Sequence, residues 1–269
     1  MKLTVLGKYG PFPHPGGACS SYLIEAPRYA GKNGTDDPKV RIVLDLGAGA
    51  LSRLLMLADL GDIDAVLLSH LHSDHISDMP VLRYALQQLN AHGIHVPLPL
   101  SVVAPSEPNA EFRVLAGAGT FNMVRAEDKM KLRFGALTVT LHAMLHTIPS
   151  FAMDIFEDEN RSYPVYGKDL PLKRIVYTGD TGMHLGLETL FQGASLVLAD
   201  TGLMEKDHAR VSAHMTAEEA ALLARNAGVG KLLLTHIWGG GADESKLVKR
   251  ARQHFDNAEV AQEMESYTV

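Results

Sequence analysis

The chain has 269 residues, 46% hydrophobic and 21% charged, with a formal net charge of −6. That composition supports a sizeable core and excludes a disordered chain, and the length suits one large domain over 1–269 or two intimately packed halves. The acidic balance and the lack of a Lys/Arg block disfavour a protein that coats nucleic acid, and no run of about 20 uncharged apolar residues is present to span a membrane.

The single cysteine, Cys19, has no intramolecular disulfide partner. A reducing compartment, most simply the cytoplasm, is the expectation, with the thiol reading as a small buried hydrophobe. The opening apolar run, Met1 to Leu6, is broken by Gly7, Gly10, Pro11 and Pro13 and is too short for a signal segment.

Apolar runs predict strands at Leu3 to Leu6, Tyr22 to Ala26, Arg41 to Leu46, Ala65 to Ser69 and Leu100 to Ala104. Leu82, Ala85, Leu86 and Leu89 fall at i, i+3, i+4 and i+7, one face of a helix. Asp78 reads as its N-cap, Pro80 sits in its first turn and Gly93 ends it. Leu132 to Phe134 and Leu137 to Leu141 flank Gly135-Ala136 as a hairpin, and further strands follow at Ile175 to Thr178, Leu196 to Ala199 and Lys231 to Thr235. Thr216-Ala217-Glu218-Glu219 is a capping box opening a helix closed by Gly228, and a last helix covers Glu244 to Phe255. Strands in both halves with helices between them suggest two packed sheets under helical layers. Ala30 to Lys39 and Glu157 to Pro171 read as mobile loops.

The densest chemistry is the hexapeptide His70-Leu71-His72-Ser73-Asp74-His75, directly after an apolar strand. Imidazole and carboxylate are ligands for Zn²⁺ and similar ions. Three later strand ends deliver His146, Asp180 and His236, and α/β sheets gather their ligands at such ends. The count fits two ions: His70, His72 and His146 could share one, Asp74, His75 and His236 a second, and Asp180 could bridge them. Ions so bridged sit about 3.5–4 Å apart and activate a water at neutral pH.

The ordered set Ser69-His70-x-His72-x-Asp74-His75, His146, Asp180 and His236 resembles the metallo-β-lactamase superfamily and spans most of the chain. The resemblance implies an α+β fold, a four-layer αββα sandwich, with a dinuclear and usually zinc centre. Gly179-Asp180-Thr181 fits the family's bridging-aspartate motif. Leu44-Asp45-Leu46-Gly47 fits its early strand-end aspartate, so Asp45 is expected to support the site without binding metal.

A narrower resemblance concerns Ser212-Ala213-His214-Met215-Thr216-Ala217, similar to the His-x-Thr segment of the ribonuclease Z and phosphodiesterase branch. It implies that His214 protonates the leaving oxygen and that Asp74 orients the nucleophile; packing beside the following helix is the other reading of His214. Asp200 is placed to orient His214. Ser150, in His146-Thr147-Ile148-Pro149-Ser150, either binds a phosphoryl oxygen or serves as a turn hydroxyl. His14 lies in a Gly-rich loop that could line the rim, and His92, His95, His142, His184, His208 and His254 read as surface or packing residues. The tRNA-grasping arm of ribonuclease Z commonly falls between the third histidine and the bridging aspartate. Only Thr147 to Gly179 lies there, with no Gly/Pro-rich basic arm.

The expected protein is therefore a cytoplasmic metal-dependent hydrolase. Its leading substrate class is a small or short phosphodiester, such as a cyclic nucleotide or short RNA-like molecule. A thioester, lactone or lactam hydrolase is the alternative, with a tRNA 3′-processing endonuclease or a non-catalytic metal-binding module behind it. Two divalent ions are implied, zinc first, with manganese or iron open. No membrane partner or large nucleic-acid surface is expected, and a homodimer is a family-level expectation alone.

Overall fold

Alternation of side chains along the strands sorts the apolar residues onto two faces of each of two sheets. The structure, a computed structural model, describes residues 1–28, 38–157, 173–202 and 213–269. The first sheet contains β1 (Lys2–Gly7), β3 (Ser21–Pro27), β4 (Lys39–Leu44), β5 (Ala65–Leu67), β6 (Leu100–Ala104), β7 (Phe121–Arg125) and β16 (Ser266–Thr268), in the order β16-β1-β3-β4-β5-β6-β7. The second contains β8 (Lys131–Phe134), β9 (Leu137–Met144), β10 (Ser150–Glu157), β11 (Arg174–Tyr177), β12 (Leu196–Asp200), β13 (Lys231–Thr235) and β15 (Ala258–Val260), in the order β15-β13-β12-β11-β10-β9-β8. A short parallel pair, β2 (Tyr9–Gly10) with β14 (Ile237–Trp238), ties one end of the molecule together.

One cluster lies between the sheets. Leu3, Val5, Tyr22, Ile24, Ile42 and Leu67 from the first meet Val139, Leu141, Met153, Ile175, Tyr177 and Leu233 from the second. The outer face of the first sheet, with Leu23, Val43, Val66 and Val102, is covered by α1 (Ala50–Leu54), α3 (Met79–Ala91) and α4 (Asn109–Ala116) through Leu54, Leu82, Leu86 and Leu115. The outer face of the second, with Val176, Val197, Leu232 and Leu234, is covered by α5 (Gly186–Phe191), α6 (Ala217–Asn226) and α7 (Glu244–Ala251) through Leu190, Phe191, Leu223 and Ala251. The result is the four-layer αββα sandwich expected from the sequence. Each fully buried leucine or isoleucine contributes about 1.5–3 kcal/mol of apolar burial.

In each sheet the parallel strands run toward one end, so the segments that follow β4, β5, β12 and β13 share a rim. Several expectations are refined. Strand β5 stops at Leu67, and Leu68 continues only one bond further, from its N–H to Val103 O at 2.8 Å. Asp78 holds the N-cap position of α3 as expected, but its side chain turns to α1 and accepts from the Leu51 N–H at 2.8 Å. The capping box holds: Thr216 Oγ1 accepts from the Glu219 N–H, and Glu219 Oε2 accepts from the Thr216 N–H at 2.9 Å. Helix α7 ends at Ala251, four residues before the expected Phe255, and the chain turns there. The loop readings at 30–39 and 157–171 fall largely outside the described residues, as does His208. Among the described residues, no helix is long and apolar enough to cross a membrane.

Candidate metal centre

Two strand ends are bent to aim side chains at the rim. Asp45 follows β4 with φ 54° and His236 follows β13 with φ 54°, a left-handed conformation that side chains other than glycine adopt only at a cost. Gly179 does the same after β11 with φ 58°, where a Cβ would lie 2.8 Å from Ser69 Cβ and 3.0 Å from Phe151 O. Glycine is therefore required for Asp180 to reach the centre. After β5 the chain runs extended through His72 and then turns into α2 (Ser73–Ile76), which carries Asp74 and His75.

The three sources converge. His72 Nδ1 lies 3.1 Å from His70 Nε2 and 3.2 Å from His146 Nε2. His236 Nε2 lies 3.1 Å from Asp74 Oδ2 and 3.1 Å from Asp180 Oδ2. His75 Nε2 lies 3.3 Å from Asp180 Oδ1, and His70 Nε2 lies 3.6 Å from Asp180 Oδ2. Asp180 thus stands between a nitrogen trio and an Asp74–His75–His236 group. Ligand atoms of each set gather within 4.8 Å of one another.

Outer hydrogen bonds choose which nitrogen faces inward. His75 Nδ1 donates to Asp45 Oδ2 at 2.7 Å, and His146 Nδ1 donates to Ala213 O at 3.0 Å. Both leave Nε2 for the centre. Asp45 is fully buried and also accepts from the Ser69 N–H at 2.6 Å, the Ser69 hydroxyl at 2.7 Å and the Tyr177 hydroxyl at 2.6 Å. Its contact with the ligand set is through the His75 ring, and Asp45 is absent from the candidate ligand groups. Tyr177 was not legible as part of the site, because its role depends on a phenol reaching a residue 132 positions away.

Burial and then the neighbouring histidines push the His70 and His72 pKa values down, and burial does the same for His146. That keeps the trio neutral, the state that ligates metal. Burial alone would also lower His236, but Asp180, Asp200 and Asp74 outweigh it and lift its pKa to about 10. Against burial, Asp180 and Asp45 likewise raise His75, so on this side protons balance the carboxylates and a bound cation would displace them. Asp74 is held well below the usual carboxylate range: burial opposes this, and His236 and His75 overcome it.

The residues fit paired cations. His75 Nε2 and Asp180 Oδ1 are buried, face each other and have no hydrogen-bond partner, a costly arrangement that a cation would relieve. Gly10 packs against the His236 ring at Nε2: a Cβ there would lie 2.0 Å from Nε2 and 2.4 Å from both neighbouring ring carbons, so only glycine leaves the ring in place. The nitrogen and oxygen donors, with no thiolate, suit an open site rather than a closed structural zinc. Cys19 is buried, and burial followed by the Asp74 charge lifts its thiol to about 12.

Beside the centre, His214 stacks on His236 at 5.0 Å with a 12° interplanar angle, and its Nδ1 lies 2.8 Å from Asp200 Oδ2. Asp200 is fixed in turn by the Thr181 N–H at 2.9 Å and the Gly202 N–H at 2.8 Å. Ser150 lies elsewhere than its phosphoryl-binding reading requires. It is buried, and its hydroxyl donates to Asp180 O at 2.9 Å, so it braces the aspartate's backbone. His14 reaches Gly239 O at 3.1 Å and no ligand. Among the other expected non-ligands, His142 pairs with Lys129 at 2.9 Å and His92 with Gln88 O at 2.8 Å.

Fold and site together define a metallo-hydrolase built on two sheets with its ligands at their shared rim. Residues 41–237 match the family described as "Beta-lactamase superfamily domain", and the chain belongs to that superfamily. It is 28% identical to the "Probable metallo-hydrolase YhfI" of Bacillus subtilis (strain 168) over 262 residues, covering 97% of this chain and 96% of that protein. The crystal structure of YhfI superposes with a TM-score of 0.84 at 25% identity, covering 100% of this chain and 99% of that one. A protein named ribonuclease Z from Bradyrhizobium sp. (strain ORS 278) is 29% identical over 277 residues, covering 85% of this chain and 90% of that one.

Proposed function

We propose that this metallo-hydrolase is a phosphodiesterase for small or short phosphodiesters, with two divalent ions, zinc first, held by the seven ligands described above. The observation that carries the reading is His214. It is a histidine beside the ligand set whose Nδ1 is taken by a buried carboxylate at 2.8 Å, leaving Nε2 to hold a proton. Cleaving a phosphodiester requires charge neutralisation and a proton for the departing alkoxide. When bound, the ions would supply the first and lower the pKa of a nearby water.

The chain's own groups supply the rest. Asp74 accepts a hydrogen bond from the attacking water and orients it. Asp180 holds the two ligand groups in one frame. His214 delivers its Nε2 proton to the leaving oxygen, and Asp200 stabilises the charged ring while it waits. Burial lowers the His214 pKa, and Asp200 followed by Asp180 more than reverses that, so the ring holds its proton more readily than a free imidazole. The similarity to a ribonuclease Z supports phosphodiester chemistry. The net charge of −6 and the short span from Thr147 to Gly179 support a small substrate over a tRNA precursor.

A panel of 2′,3′- and 3′,5′-cyclic nucleotides, short RNA, an aryl phosphodiester and a thioester, run with protein of measured metal content, tests the reading. Turnover of phosphodiesters that depends on metal is the expected result. Thioester turnover with no phosphodiester turnover would move the assignment to the acyl-hydrolase alternative.

A further inference from the structure

Two large aromatic rings stand in the open beside the centre. Phe12 is 44% exposed and Trp238 is 39% exposed, and their rings meet edge to face at 5.2 Å and 72°. Each keeps a substantial part of its surface open to solvent. The backbone fixes their distance from the ligands. Trp238 lies two residues beyond His236, and the parallel β2–β14 pair sets it opposite Gly10, which packs against the His236 ring at Nε2. Phe12 lies two residues beyond Gly10. Each aromatic is thus about 7 Å along the backbone from a position touching the centre.

The two segments are locked. Gly239 N–H donates to Gly10 O at 3.1 Å, and a Cβ on Gly239 would lie 1.9 Å from Phe12 O. A Cβ on Gly240 would lie 2.3 Å from the Trp238 indole nitrogen. The two segments therefore meet closely beneath the aromatic pair. Folding gains little from leaving it half exposed, whereas a planar ligand gains dispersion and stacking there.

We infer that Phe12 and Trp238 form a stacking subsite for the base of a nucleotide whose phosphodiester sits at the metal centre; this rests on the phosphodiesterase reading. On a protein of net charge −6, stacking supplies affinity that long-range electrostatics withholds from an anionic substrate.

Trp238 is the chain's only tryptophan, so its fluorescence reports this place alone. Titrating the metal-loaded protein with AMP should quench the emission saturably, while ribose 5-phosphate leaves it unchanged. Phe12→Leu should weaken the AMP response about tenfold. In turnover, Trp238→Ala should raise KM for 2′,3′-cyclic AMP about tenfold with kcat nearly unchanged, and Trp238→Phe should restore most of it. Equal responses to AMP and ribose 5-phosphate, or emission that follows protein dilution and ignores AMP, would overturn the subsite. Quenching by AMP in a protein that cleaves no phosphodiester keeps the subsite and defeats the reaction. Cleavage without quenching does the reverse.

Discussion

His214 Nδ1 and Asp200 Oδ2 lie 2.8 Å apart on the flank of the ligand set, and the carboxylate is itself held by two backbone N–H groups. The pair fixes both the tautomer and the direction of a ring that has no ligand role in the account. His214→Ala should lower kcat by about 10²–10⁴-fold on a phosphodiester with a poor leaving group, and by much less on a nitrophenyl ester whose leaving group needs no proton. Metal content should be unchanged. Asp200→Asn should show the same leaving-group dependence in milder form. Equal losses on both substrates would remove the proton-donor role.

The Asp45 carboxylate accepts four hydrogen bonds, one of them from the ligand His75. Asp45→Ala strands two buried hydroxyls, a backbone N–H and the His75 ring. It should loosen metal binding by about 10–100-fold, read as metal retained after dialysis against a weak chelator. It should also cost about 1–3 kcal/mol in urea unfolding. A variant with wild-type metal retention would show that His75 needs no such support.

Gly10 is a position where size alone decides. Gly10→Ala places a methyl group against His236 Nε2 and should abolish binding of the second ion while the first is retained. Metal-to-protein ratios for the variant and wild type, near one and near two, are the check.

Much of this centre was legible in the sequence because its ligands follow strands whose apolar runs are unmistakable. His70 after β5, Asp180 after β11 and His236 after β13 needed only the strand ends and the order of residues. What stayed hidden depends on contacts across the fold. Strand β10 escaped notice because Asp154 interrupts its apolar pattern. In the folded chain that carboxylate is buried against Arg174, with bonds of 2.7 and 3.0 Å. Ser150 reads as a loop hydroxyl for the same reason, since β10 begins there. The rim pair β2 and β14 is two residues long on each side, below any periodicity that a pattern can carry.

Away from the centre, Glu25 on β3 is nearly buried among Lys2, Lys39 and Arg41, with Arg41 Nε at 3.1 Å. Burial opposes ionisation, yet the three cations prevail and depress its pKa. A carboxylate with a depressed folded pKa adds stability above its unfolded pKa of about 4.3, and that contribution is lost as pH falls through the folded value. Glu25→Gln should therefore be about 1 kcal/mol less stable than wild type at pH 7, with the gap closing toward pH 3. Urea midpoints across that range measure it. A gap that stays constant with pH would contradict the ion-pair assignment.

In the proposed centre two cations share Asp180, one with His70, His72 and His146, the other with Asp74, His75 and His236. Anomalous diffraction from zinc-loaded crystals would locate both ions. Two peaks about 3.5–4 Å apart are expected, each bonded to its own three residues and both to Asp180. One peak alone at full zinc loading, or two peaks with Asp180 bound to neither, would contradict that arrangement.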